Sequence, residues 1–79
     1  MAEKKFDKGS DEWSLFMEFW QICQQYWVVE DNDVYWQTLL ERADEFYKKF
    51  KSIPLAGRVI MALIETQEQI LKEGSRKSG

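Results

Sequence analysis

The side chains able to do chemistry in this chain are one thiol, Cys23, and fourteen carboxylates; histidine is absent. Without imidazole the chain lacks the side chain that most often serves as general base and as metal ligand, which removes most hydrolase and metalloenzyme designs. Cys23 falls within an apolar helical stripe, where a thiol is expected to be a small inert hydrophobe. Having no partner for an internal disulfide, it also points to a reducing, cytoplasmic setting. The acidic run Glu30, Asp31, Asn32, Asp33 lacks the glycine and the bidentate glutamate of a calcium loop, and a solvated turn that caps the next helix explains it. Glu41, Asp44 and Glu45, like Glu65 and Glu68, fall on outward helical faces, where carboxylates keep a helix wet. Lys48, Lys49, Lys51 and Arg58 lie near Tyr47 and Phe50 and could touch phosphate, yet their place at a helix end answers the helix dipole. No catalytic, cofactor or metal residue is assigned, an enzyme is not expected, and no small-molecule substrate is evident.

The elements that must position these groups are helical. The 79 residues are 44% hydrophobic, enough for one small domain, expected over residues 10–73 between mobile tails at 1–9 and 74–79. Ser10 can cap a first helix that runs to about Trp27, with Asp11 and Glu12 where the dipole favours negative charge. A second helix is expected over residues 33–51, its stripe Trp36, Leu39, Leu40, Ala43, Phe46, Tyr47, Phe50 following three-and-four spacing. Pro54 breaks the chain and opens a third helix that runs to Glu73, where Gly74 is expected to close it. Gly57 is read as a point of close helix approach. No alternating pattern competes, so the fold class is all-α, and short linkers make it an up-down-up three-helix bundle.

Charge and length narrow the partners. A net charge of −3 with a pI near 4.9 argues against a phosphate-gripping surface, so nucleic acid is not expected. Residues 55–64 form the longest apolar stretch; interrupted by Arg58, it is too short to cross a bilayer, and residues 1–9 do not resemble an export signal, so no membrane role is expected.

The surplus lies in the first helix. One buried face needs about seven apolar positions in fifteen, whereas the helix carries two adjacent stripes: Trp13, Phe16, Trp20, Cys23, Trp27, and Leu15, Phe19, Ile22, Tyr26. Ser14, Glu18, Gln21 and Gln25 form the narrow wet strip. The tryptophan stripe is assigned to the core. The second stripe, Leu15, Phe19, Ile22 and Tyr26, with Val29 and Tyr35 at its rim, is assigned to a protein partner, foremost a second copy in a homodimer. Residues 65–69 are polar, which leaves the aromatic residues of the first turn poorly covered. A different reading makes the chain an acidic decoy or inhibitor that presents Glu41, Asp44, Glu45, Glu65 and Glu68 to a DNA-binding or nuclease protein.

The run WQTLLERADEFYKKF, residues 36–50, resembles the middle helix of small uncharacterised all-helical proteins of Gram-positive bacteria, some borne on mobile elements. The resemblance implies a bacterial, intracellular setting and brings no activity and no functional residues with it.

Overall fold

The computed structural model describes residues 3–77, which form three helices: α1 Asp11–Gln25, α2 Asp33–Lys49 and α3 Pro54–Lys77. Each start has a local cause. Gly9, at φ +89°, turns the chain into α1, and the Ser10 hydroxyl accepts the Trp13 N–H at 3.3 Å. The Asn32 side chain accepts the Tyr35 N–H at 2.7 Å and starts α2, so the acidic run does serve as a cap. Pro54 sits in the first turn of α3, where a missing N–H costs nothing. Lys48 and Lys49 close α2 at its negative end.

The ends differ from the sequence expectation. α1 stops at Gln25 and α2 at Lys49, because Tyr26 and Phe50 take non-helical cap conformations. α3 does not stop at Gly74 but continues to Lys77, and Gly74 does not adopt the positive φ of a terminating glycine. One glycine costs a helix about 1 kcal/mol, and no proline follows to end the hydrogen-bond ladder. Of the two expected tails, residues 1, 2, 78 and 79 lie outside the described residues.

The three helices pack on one another as an all-α bundle, with no strand among the described residues. Leu15 and Ile22 of α1, Leu39 and Phe46 of α2, and Ala56 and Ile60 of α3 meet in the interior. Phe46 is its centre, with the ring of Phe19 at 6.1 Å and that of Phe50 at 5.2 Å. At Gly57 a methyl group would stand 3.1 Å from the Tyr47 ring, so glycine lets α2 pass close to α3.

Among the described residues one polar side chain belongs to this interior. Gln67, 2% exposed, donates to the backbone carbonyls of Tyr26 at 2.6 Å and Trp27 at 3.1 Å, and contacts the Tyr35 hydroxyl at 3.4 Å. That hydroxyl itself donates to the Tyr26 carbonyl at 2.8 Å. One amide of the polar segment 65–69 thus satisfies carbonyls freed at the end of α1, while the side chains of Trp27 and Val28 in the first turn stay exposed. Gln67→Leu strands these partners and is expected to cost about 1–3 kcal/mol in urea unfolding, while Gln69→Leu on the exposed face stays within about 0.5 kcal/mol of wild type. Beyond Gln67, α3 runs on past the α1–α2 turn.

Candidate functional site: the outward face of α1

α1 is turned the other way from the sequence expectation. The stripe assigned to a partner faces inward: Leu15, Ile22 and Tyr35 are buried, and Phe19, Tyr26 and Val29 pack against the core. Tyr35 is held by the edge of Tyr26 at 5.6 Å and by its hydroxyl hydrogen bond. Of the stripe assigned to the core, Trp13, Phe16, Trp20 and Trp27 are exposed, Trp20 by 63% and Trp27 by 69%, with Met17 beside them, while Cys23 is half-buried and does pack against the core.

Two physical reasons account for the inversion. Helices in contact leave about 8–10 Å between their axes, which suits Leu15 and Ile22 better than a row of indoles. A second, smaller contribution comes from Glu18 of the wet strip, which pairs at the surface with Lys49 of α2 and favours this rotation. Lys48 is likewise paired, with Asp44 at 2.9 Å. Two members of the basic cluster are thus engaged with carboxylates of their own chain.

The outward face has a repeat that the three-and-four spacing had hidden. Trp13, Trp20 and Trp27 recur at every seventh residue, with Phe16, Met17, Cys23 and Gln24 between them. Seven residues are close to two helical turns, so Trp13 and Trp20 stand in line along α1, while Trp27 lies just past its end. Between the last two indoles is a depression of about 440 Å³ lined by Trp20, Cys23, Gln24 and Trp27. Next to it runs a cleft of about 540 Å³ between α1 and α3, walled by Phe19, Cys23 and Trp27 on one side and by Val59, Ala62 and Ile70 on the other. No charged residue lines either.

At the other end of this face the N-terminal arm folds back. The Phe6 ring stacks on Phe16 at 5.6 Å, and Lys4 pairs with Glu12 at 2.7 Å. That hydrogen bond holds the Glu12 carboxyl below its ordinary pKa. Burial pushes the Cys23 thiol up, away from the thiolate a nucleophile needs.

Chemistry remains sparse in three dimensions. Among the described residues no group of cysteine and carboxylate side chains is placed to hold a metal ion, and no helix is long and apolar enough to cross a membrane. The structure defines a three-helix bundle whose first helix, with Trp27 just past its end, exposes an aromatic face. Comparison with known protein families, curated proteins and solved structures finds no match to this chain.

Proposed function

We propose that this chain is a small protein-interaction module that associates with a second copy of itself through the outward face of α1. The observation that carries the reading is the exposure of Trp20 and Trp27 on one face. Indoles left in water at such exposures are costly, because full burial of a large aromatic side chain removes about 150–250 Å² from solvent. Together Trp13, Phe16, Met17, Trp20 and Trp27 expose roughly 500–600 Å² per chain. A two-fold dimer that covers both faces completely buries about 1,000–1,200 Å², the size of a weak or transient interface. No charged residue lines the depression between Trp20 and Trp27, which supports a like partner, since two copies at −3 each can meet there without like charges in the contact. We extend the reading to a bacterial cytoplasm, the setting that a lone unpaired thiol and the resemblance of α2 favour.

Molar mass measured across a concentration series at low and moderate salt tests this. An apolar dimer persists or tightens as salt rises. If instead the chain stays monomeric and binds a basic DNA-binding protein or nuclease in a complex that salt dissolves, Glu41, Glu45, Glu65 and Glu68 become the working surface and the decoy reading replaces this one. Asp44 is already committed to Lys48 in the free chain.

A further inference from the structure

The chain's own N-terminal arm lies on the start of the aromatic face, and the way it is held there is specific. Lys8 and Gly9 form the middle of a reverse turn in which the Asp7 carbonyl accepts the Ser10 N–H at 3.0 Å and the Ser10 hydroxyl at 2.7 Å. Gly9, third in that turn at φ +89°, holds a conformation that residues with a side chain rarely adopt. Ser10 also caps α1 through the Trp13 N–H, so turn and helix start are one hydrogen-bonded unit that sends the arm back along α1. Phe6 then stacks on Phe16 with the rings inclined by 27°, and Lys4 reaches Glu12. Phe16, under Phe6, is less exposed than Trp20 and Trp27, which lie further along the chain. The hold is light. A stacked aromatic pair favours closure by about two- to tenfold, an exposed ion pair by no more than about fivefold, and the ordering of the arm opposes both.

We propose that residues 3–9 are an autoinhibitory strap: closed, they cover Phe16; lifted about the Gly9 turn, they free the start of the aromatic face for a second copy of the chain. This rests on the self-association reading and adds its regulation. A copy that contacts Phe16 must first displace Phe6, so the closed arm lowers the apparent affinity by the fraction of chains whose arm is open. A two-fold dimer needs both arms lifted, and that fraction therefore enters as its square. Phe6 and Gly9 have separate parts in the strap: the ring is the latch, and the glycine is the joint that aims it.

The strap is tested with full-length protein, with circular dichroism confirming the helical fold of each variant. In dilute wild type, closure is read from the nuclear Overhauser effect between the Phe6 and Phe16 rings, which is expected to be present, and from the rate of trypsin cleavage after Lys4. Phe6→Ala removes the latch and Gly9→Val disturbs the joint while leaving both contacts' residues in place. Each is expected to be cut about threefold faster than wild type and, by sedimentation equilibrium, to self-associate about threefold more tightly or better. A wild type without the ring contact, or a variant of either kind that associates no more tightly than wild type does, overturns the strap and leaves self-association standing. Variants that associate under conditions where wild type stays monomeric are the strongest form of the expected result. Wild type and both variants monomeric at the highest attainable concentration overturn the strap and self-association together.

Discussion

Trp20→Glu is expected to give a folded monomer. The indole is 63% exposed and contributes no wall to the core, so glutamate, a good helix former, is expected to change stability by no more than about 0.5 kcal/mol. Its effect falls on association, because a central tryptophan in an interface typically carries about 2 kcal/mol or more, or about thirtyfold in affinity. A carboxylate buried in an uncharged contact adds a desolvation penalty with no cation nearby to offset it. The thermal melt and the molar mass of the variant, measured on one sample, check both halves of the expectation.

The same substitution two residues further on is expected to have the opposite consequence. Ile22 is 0% exposed, and Ile22→Glu forfeits about 1.5–3 kcal/mol of side-chain burial. Its carboxylate would also enter an interior whose one polar side chain, Gln67, has its amide engaged with backbone carbonyls. An unpaired buried charge costs several kcal/mol more. A chain of 79 residues has only about 4–12 kcal/mol of total stability. Loss of the far-ultraviolet helical signal at room temperature is the expected result. A folded, monomeric Ile22→Glu would restore the orientation of α1 that the stripes first suggested.

The contrast between these positions shows what the sequence carried and what it did not. Ser10, Asn32 and Pro54 marked the helix starts because capping and the proline N–H are local physics, decided within one turn. The inward stripe of α2 was legible in part: Leu39, Ala43, Phe46 and Phe50 are buried, whereas Leu40 and Tyr47, placed on the same stripe, are each 52% exposed, and Tyr35 is buried instead. α1 was less legible: two stripes of similar apolarity differ by roughly 100° of rotation, and hydrophobicity alone does not choose between them. Size favours the observed choice, with a small contribution from Glu18, whose partner Lys49 lies on another helix. A long-range ion pair of that kind has no signature in spacing. The seven-residue recurrence of tryptophan was present in the sequence and was the signal available for the outward face. Gln67 was read with its polar neighbours for a similar reason, since its partners Tyr26, Trp27 and Tyr35 come from the far side of the chain.

The four tryptophans make the association surface directly observable through their indole N–H resonances. Trp36 serves as an internal reference, partly buried against the core and set edge-on to Tyr35 at 5.0 Å. Across a dilution series the Trp20 and Trp27 signals are expected to shift together along one binding curve while Trp36 stays in place. Four stationary signals up to the highest attainable concentration would contradict self-association through α1, and so would movement of Trp36 with Trp20 and Trp27 unchanged.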